Sequence, residues 1–211
     1  MPSDTGVTKV LLVRHAQTAL SKDNRYTGAS DLSLNDIGVV QAESLSKRLG
    51  GFGERIVSVY SSSLKRSMET ADIIAKRLSL PVHSLSEFNE LNYGLWEGLT
   101  RKEVLQRFPE QYQLWANNSA LISPPDGESG EVVVKRARIA LDRLVIRHVG
   151  ETIVIVAHKA VNRLLICSGL GVSLERSRQA IEQDEACLNV LAFEAEGMRL
   201  MKMNDTSHWT V

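Results

Sequence analysis

Two apolar runs constrain the fold more than any other feature of this sequence. The segments "TKVLLV" at 8–13 and "TIVIVA" at 152–157 are rich in β-branched side chains and nearly free of charge. Continuous runs of this kind are typical of strands that are covered on both faces, as in a parallel sheet between two layers of helices. They therefore favour an α/β fold over an all-helical or all-β one.

The rest of the chain alternates between helix and strand patterns. Further strands are predicted at 55–62 and 81–85, with a hairpin over 187–204 that turns at Glu196-Gly197. Helices are predicted at 35–49, 64–80 and 129–148, and another follows His158. In the first of these helices, the inward stripe is predicted to be Ile37, Val40, Leu45 and Leu49. This order predicts a three-layer sandwich in which helices flank a mostly parallel central sheet.

The middle of the chain is less regular. Residues 88–100 are aromatic and punctuated by glycine, which predicts a long loop, and short helices broken at Pro109 follow over 100–115. We interpret 82–130 as a small cap inserted into a single domain that spans 1–211. Self-association is left open; a homodimer is one alternative, in which the exposed face of "CLNVLAF" at 187–193 pairs as a sheet edge.

Composition excludes several partners. Lys and Arg together number 25, as do Asp and Glu, so the net charge is zero and no overall field attracts nucleic acid or an anionic membrane. No apolar run approaches the roughly 20 residues that cross a bilayer, and the N-terminus lacks the pattern of a signal peptide. Cys167 and Cys187 lie in apolar segments and are predicted to be reduced core thiols, which favours a cytoplasmic location.

Cationic side chains follow three of the predicted strands. Arg14-His15 end the first, Arg66 follows the second through "SSSLKR", and His158 ends the strand at 152–157. Parallel strands would bring these side chains to one rim of the sheet, where ligands of open α/β sheets bind. Two arginines with two histidines suit a phosphoryl group, because the guanidinium fork matches two phosphate oxygens. No His-x-x-x-His, Cys-x-x-Cys or aspartate-rich cluster accompanies them, so we predict neither a metal nor another cofactor.

Such a site can use histidine as a covalent nucleophile. The imidazole of His15 can attack phosphorus when its other ring nitrogen donates to a backbone carbonyl, which the turn after His15 is placed to supply. A departing alkoxide also needs a proton from a carboxylic acid. The loop offers Glu87, Glu90 and Glu97, and composition alone does not choose among them.

Six motifs together resemble one family. "LLVRHAQT", "YTGASDLSLNDIGVVQA", "SSSLKRSMETA", "FNELNYGLWEG", "PPDGES" and "VAHKAVNR" occur in this order. They resemble the histidine phosphatase superfamily, the phosphoglycerate mutase-like proteins of branch 1, and the resemblance covers about residues 8–195. It implies the phosphoglycerate mutase-like α/β sandwich, with His15 as the phosphorylated nucleophile, Glu90 as proton donor and later base, and Arg14, Arg66 and His158 as the phosphate pocket.

The resemblance also implies further substrate contacts and shows three departures. Thr27 and Gly28 match the family's loop that lies over the phosphate or the substrate. Ser21 stands where the family usually has a phosphate-binding asparagine, and Ala16 and Lys159 each replace a glycine. Lys159 either adds a cation for an acidic substrate or points into solvent, and we favour solvent; with Arg25 it gives a hint of a carboxylate on the substrate.

The function implied is that of a metal-independent phosphomonoesterase acting on a small phosphorylated metabolite through a phosphohistidine. The alternative is a cofactor-dependent phosphoglycerate mutase, which is typically longer in the middle and at the C-terminus. An inactive phosphate-binding module is a third interpretation. The substrate wall is expected around Tyr93, Leu95 and 114–123, whereas Trp96 and Trp115 are expected to serve mainly in packing.

Overall fold

The computed structural model describes residues 6–209, which contain one six-stranded sheet. Its strands are β1 (Thr8–Arg14), β2 (Ile56–Ser61), β3 (Val82–Ser84), β4 (Thr152–Ala157), β5 (Leu188–Glu194) and β6 (Gly197–Asp205). Their order across the sheet is β3-β2-β4-β1-β5-β6. The first four are mutually parallel, and β5 and β6 form an antiparallel hairpin beside β1.

Helices connect and flank these strands. They are α1 (Ala19–Lys22), α2 (Asp36–Gly50), α3 (Lys65–Leu78), α4 (Arg101–Arg107), α5 (Pro109–Asn117), α6 (Gly130–Arg147), α7 (Lys159–Leu170) and α8 (Ser177–Ala180), with short 3₁₀ turns at Ser86–Phe88, Gly94–Trp96 and Leu174–Arg176. The predicted strands and long helices are confirmed to within a few residues. Across 6–209, none of the helices combines the length and the apolar character that a bilayer crossing demands.

Strand β1 shows why the apolar runs specify three layers. Val10 and Leu12 pack into a cluster with α6 and α7, and Leu11 and Val13 pack into another with α2 and α3. All four side chains are fully buried. Because neighbouring residues of a strand point to opposite faces, an uninterrupted apolar run requires helices on both sides. The predicted sandwich is confirmed.

The predicted inward face of α2 is wrong in its first turns. Ile37 and Val40 are 52% and 59% exposed. The buried positions are Gly38, Gln41, Ala42, Leu45, Ser46 and Leu49. The reason is the loop after β1: Gln41 Oε1 accepts the N–H of Gln17 at 2.9 Å, and a Cβ at Gly38 would lie 2.1 Å from the carbonyl oxygen of Gln17. Close backbone packing here needs a glycine and a polar acceptor, which an apolar stripe does not reveal.

The C-terminal hairpin forms over the predicted residues, but its first strand is not the edge of the sheet. Strand β5 pairs with both β1 and β6, and the segment 187–193 is buried, so β6 is the edge strand on this side. A second copy therefore cannot pair with "CLNVLAF" at a sheet edge, because β1 and β6 already occupy both sides of β5. Cys167 and Cys187 are free and buried, as predicted.

The 82–130 region carries its own aromatic cluster. Trp96, Val104, Tyr112 and Trp115 are all buried there, and the rings of Trp96 and Trp115 meet edge to face with centroids 5.1 Å apart. Pro109 is the first residue of α5, so the break between the two short helices falls where it was predicted. The two tryptophans pack as expected, and Trp115 also reaches the cavity described below.

Candidate active site

The strand register brings the ends of β1 and β4 side by side. Arg14 pairs with Ala157 in the parallel ladder, and the backbone N–H of His15 donates to the carbonyl oxygen of Ala157 at 2.9 Å. The imidazoles of His15 and His158 consequently lie with their ring centroids 5.1 Å apart. Arg66 arrives from the first turn of α3, directly after β2. The four predicted cationic residues thus share the carboxyl end of the parallel strands.

Burial keeps both histidines neutral. His15 is 5% exposed and His158 is fully buried. Burial lowers the pKa of His15 well below 6.5, and the nearby charges of Arg66 and Arg14 lower it further. Burial and the charge of Arg66 lower the pKa of His158 in the same way.

The tautomer of His15 is fixed by its own turn. Its Nδ1 lies 2.7 Å from the carbonyl oxygen of Ala16, which can only accept a hydrogen bond, so Nδ1 carries the proton. Ala16 is held in turn, since its N–H donates to the hydroxyl of Thr70 on α3 at 3.1 Å. A neutral imidazole with Nδ1–H keeps the lone pair on Nε2. His15 can therefore act as a nucleophile through Nε2.

Each arginine at this end keeps one buried nitrogen without a partner. Arg66 donates from Nη1 to the carbonyl of Ser30 at 2.7 Å and from Nη2 to that of Gly28 at 2.9 Å. Arg14 donates to the carbonyl of Gln183 at 2.7 Å and to Glu185 at 3.2 Å. The Nε atoms of both have no hydrogen-bond partner among residues 6–209. Buried donors are rarely left unpaired, so these two fit a bound oxyanion.

His158 offers a third donor. Its Nε2 lies 2.6 Å from the hydroxyl of Ser62, and that hydroxyl oxygen accepts the N–H of Leu64 at 3.2 Å. The Ser62 hydroxyl has no other acceptor among the described residues, so we assign it as the donor to Nε2, which places the proton of the neutral ring on Nδ1. That buried Nδ1 also lacks a partner in the described part of the chain. Two guanidinium groups and one imidazole N–H are thus available around His15.

The structure separates the three candidate glutamates. Glu90 is 6% exposed and lines the same cavity as Arg14 and His15. Its Oε2 accepts the N–H of Ala160 at 3.1 Å, and its Oε1 accepts that of Leu91 at 2.9 Å. The carboxyl group is thereby held at the start of α7, beside the N-cap residue His158.

The other two glutamates have structural partners. Glu97 accepts backbone N–H groups of Gly28, Ala29 and Ser30, so its carboxylate organises the loop whose carbonyls hold Arg66. Glu87 pairs with Arg143 at 2.8 Å near the surface. Neither lines the cavity at His15.

Arg136 of α6 holds the loop that carries Glu90. It donates to the backbone carbonyls of Glu87 at 2.7 Å, Asn89 at 2.6 Å and Glu90 at 3.1 Å. It also pairs with Glu128 of the "PPDGES" segment at 3.0 Å. Composition gave no sign of this role, because the contacts go to backbone atoms far away in sequence.

Of the loop residues predicted to contact the substrate, two line the cavity and one does not. Ser21 and Thr27 line the cavity, although the Ser21 hydroxyl also closes a capping box with Thr18. Gly28 does not line it: its N–H donates to Glu97 and its carbonyl accepts from Arg66. Gly28 therefore supports Arg66 instead of covering the substrate.

The cavity beside His15 has a volume of about 280 Å³. Lys159 lines it, which corrects our preference for a solvent-facing side chain: the turn of α7 that places His158 also turns Lys159 toward Arg14. Sequence reasoning missed six further lining residues, namely Thr18, Asn24, Tyr26, Arg101, Arg163 and Arg178. Arg163 follows Lys159 by one helical turn, a spacing that could have revealed it.

Residues 6–209 contain no group of three His, Cys, Asp or Glu side chains arranged to hold a metal ion. The groups that converge on His15 are instead nitrogen donors and cations.

Comparisons with known proteins agree with this geometry. A sequence profile of the histidine phosphatase superfamily (branch 1) matches residues 10–206. Phosphoserine phosphatase 1 of Hydrogenobacter thermophilus is 32% identical over 202 residues, covering 96% of this chain and 94% of that protein. The solved structure of Bacillus stearothermophilus YhfR superposes with a TM-score of 0.88 at 27% identity, covering 95% of this chain and 98% of that one.

Another relative is considerably longer. The bifunctional protein Rv2228c of Mycobacterium tuberculosis is 34% identical over 206 residues, which are 95% of this chain and 55% of that protein. The chain therefore spans about half the length of the first relatives it matches. The profile match, the relatives and the arrangement around His15 lead to one assignment. The chain belongs to the histidine phosphatase superfamily, branch 1.

Proposed function

We propose that this chain is a phosphomonoesterase that hydrolyses a small phosphorylated metabolite through a phosphohistidine intermediate, without a metal ion. One observation carries the proposal: His15, whose Nε2 lone pair is free, lies beside Arg14, Arg66 and His158, each of which keeps one buried side-chain nitrogen without a partner in the described part of the chain. A nucleophile beside convergent donors matches what phosphoryl transfer requires. The phosphatase name of the relative from Hydrogenobacter thermophilus supports the same reaction class.

The first step forms the phosphoenzyme. Nε2 of His15 attacks phosphorus, and the bond between phosphorus and the ester oxygen breaks. Glu90, in its protonated form, gives its proton to the departing oxygen, so that the alcohol leaves neutral. Arg14, Arg66 and His158 bind the non-bridging oxygens, whose charge spreads in the transition state.

The second step releases phosphate. Glu90, now a carboxylate, takes a proton from a water molecule as that water attacks phosphorus. The phosphorus–nitrogen bond breaks, inorganic phosphate leaves, and His15 regains its Nε2 lone pair. Glu90 is protonated again and ready for the next substrate.

The charge around phosphorus argues for metal-independent catalysis. A divalent ion would have to enter beside two guanidinium groups that repel it, with Glu90 as the nearby anion. Those guanidinium groups already supply the charge stabilisation that a metal supplies in other phosphatases. We also propose a cytoplasmic enzyme, since Cys167 and Cys187 are free and buried.

A panel of phosphorylated metabolites, assayed with and without EDTA, tests the proposal. We expect release of inorganic phosphate from at least one compound at a rate that EDTA leaves unchanged. Absence of release from the whole panel, or loss of activity in EDTA, would overturn it. In the same panel, 3-phosphoglycerate with a bisphosphate primer tests the alternative, because isomer without free phosphate would identify a mutase.

A further inference from the structure

The cavity beside His15 holds more positive charge than one phosphoryl group needs. Its cationic lining residues are Arg14, Arg25, Arg101, Lys159, Arg163 and Arg178, whereas Glu90 is its one carboxylate among the described residues. The chain as a whole has no net charge. The cavity is therefore locally positive, and most of its cationic residues are not among the residues assigned to the phosphoryl group.

Some of these cations already have partners. Arg25 pairs with Glu103 at 3.0 Å, and Arg163 pairs with Glu182 at 3.1 Å while donating to the carbonyl of Ile181. Arg101 is exposed to solvent near the ring of Tyr112. Lys159 and Arg178 differ from Arg25 and Arg163, since neither makes an ion pair or donates a side-chain hydrogen bond within residues 6–209, and they differ from Arg101 because both are partly buried.

Arg178 is held in a defined orientation by an aromatic ring. Its guanidinium carbon lies 3.9 Å from the centroid of Trp115, and that tryptophan is only 2% exposed within the aromatic cluster of the 82–130 region. Stacking on a fixed ring orients the guanidinium plane and leaves its N–H edges free to donate. An arginine preorganised in this way loses little entropy when it binds an anion.

Lys159 belongs to the same wall. It is half-buried, and burial together with the charges of Arg14 and Arg163 lowers the pKa of its ammonium group. A smaller recess of about 60 Å³ adjoins the cavity, with Lys159, Arg178 and Trp115 among its lining residues. An anionic group in this place would relieve the repulsion between the cations and pair with both of them.

We propose that the substrate carries a second anionic group, a carboxylate or a second phosphate, which Lys159 and Arg178 bind while its phosphoryl group sits at His15. This inference rests on the proposed phosphatase function and names the class of its substrate. Arg178 and Lys159 are then specificity-determining residues of the chain.

Matched substrate pairs test this proposal. 3-Phosphoglycerate differs from glycerol 3-phosphate by a carboxylate, and fructose 1,6-bisphosphate differs from fructose 6-phosphate by a second phosphate. We expect kcat/KM to favour the doubly anionic member of one pair by about tenfold or more, as for a charge-assisted hydrogen bond. The pair that shows the preference identifies the second anion. Equal kcat/KM within both pairs would overturn the proposal.

Single substitutions test whether Arg178 and Lys159 cause the preference for the doubly anionic substrate. Arg178→Gln and Lys159→Gln should each lower kcat/KM for the preferred member by about tenfold, mainly through KM, with the singly anionic member changed less than about twofold. Arg176→Gln, in the same exposed segment, and Lys135→Gln on α6 are matched controls that should change neither. Equal losses for both members of the pair would contradict the assignment.

Binding measurements distinguish a failure of the proposed anion subsite from a failure of the proposed phosphatase function. Calorimetry with the His15→Ala variant measures affinity for each pair without turnover. A preference for the doubly anionic member that Arg178→Gln abolishes supports the subsite even where the unmodified protein releases no phosphate, a result that would overturn the phosphatase proposal alone. Equal affinity within both pairs, combined with normal phosphatase activity, would overturn the subsite alone.

Discussion

Two regions of the site are built differently. We call one the strand rim, which consists of Arg14, His15, Arg66 and His158. We call the other the cavity wall, which consists of Tyr93, Trp115, Lys159 and Arg178. Rim residues follow the ends of parallel strands, and β-sheet register fixes their spacing. Wall residues come from the 82–130 region, from α7 and from α8, and packing between these elements positions them. The proposed chemistry therefore lies on the rigid sheet and the proposed selectivity on its periphery, where sequence change is better tolerated.

Changing the rim at His15 should produce the largest effect. We expect His15→Ala to lower kcat for every substrate by about 10⁴-fold or more, because the covalent step loses its nucleophile. Steady-state assays over the metabolite panel measure it. His83→Ala, at an exposed histidine on β3, is the control and should retain full activity. Near-normal turnover by His15→Ala would contradict the assignment of the chemistry to the strand rim.

Glu90→Gln should produce the next largest effect. It keeps a carbonyl oxygen that can accept from the backbone but has no proton to give, so we expect kcat for alkyl phosphates to fall by about 10²- to 10⁴-fold. The loss should be smaller for p-nitrophenyl phosphate, whose leaving group needs no proton. Glu87→Gln, from the same loop, should leave both rates unchanged. Equal losses on the two substrate types would contradict the assignment of Glu90 as proton donor.

Arg136 lies outside both regions and anchors the loop of Glu90 from α6. We expect Arg136→Gln to lower kcat for alkyl phosphates by about tenfold and to spare p-nitrophenyl phosphate, with partial rescue in Arg136→Lys. Arg138→Gln on the same helix, which removes a pair with Asp142, is the control. A loss of thermal stability with an unchanged ratio of the two rates would show that Arg136 serves the fold alone.

The pH dependence of stability should show the smallest effect. His15 and His158 have lowered pKa values in the folded protein, so below about pH 6.5 the unfolded chain binds protons that the folded one does not. Their contribution to stability is therefore present above pH 6.5 and is lost as pH falls, by up to about 1.4 kcal/mol per histidine at pH 5.5.

Urea unfolding at pH 7.5, 6.5 and 5.5 measures this change. His15→Asn should make the decline between pH 6.5 and 5.5 shallower, because one of the two buried neutral imidazoles is gone. An equal free energy of unfolding at pH 7.5 and 5.5 in the unmodified protein would mean that the rim histidines are charged in the folded state.

Local sequence predicted the rim better than the wall for a physical reason. Arg14-His15 and His158 follow apolar runs that must be buried strands, so their meeting requires only that the strands be parallel and in register. Arg178 lies in a segment with no periodic pattern, and nothing local indicates that it stacks on Trp115. Gly28, by contrast, was expected over the substrate but supports Arg66, because its backbone contacts come from Glu97 and α3.

The same limit explains the errors in the fold. The face of α2 depends on where Gln17 contacts Gly38 and Gln41, which lie more than 20 residues further along the chain. Whether β5 is an inner strand or the edge of the sheet depends on whether β6 folds back and pairs with it. Both are decided by tertiary packing, which hydrophobic periodicity does not encode.

Trapping the phosphoenzyme tests the central claim most directly. The protein is mixed with a hydrolysed substrate, quenched in base to preserve phosphohistidine, and digested for mass spectrometry. We predict an acid-labile, base-stable phosphate on the peptide that contains His15, and none on that peptide from His15→Ala. Phosphate on a different residue, or turnover without any phosphoenzyme, would contradict the account.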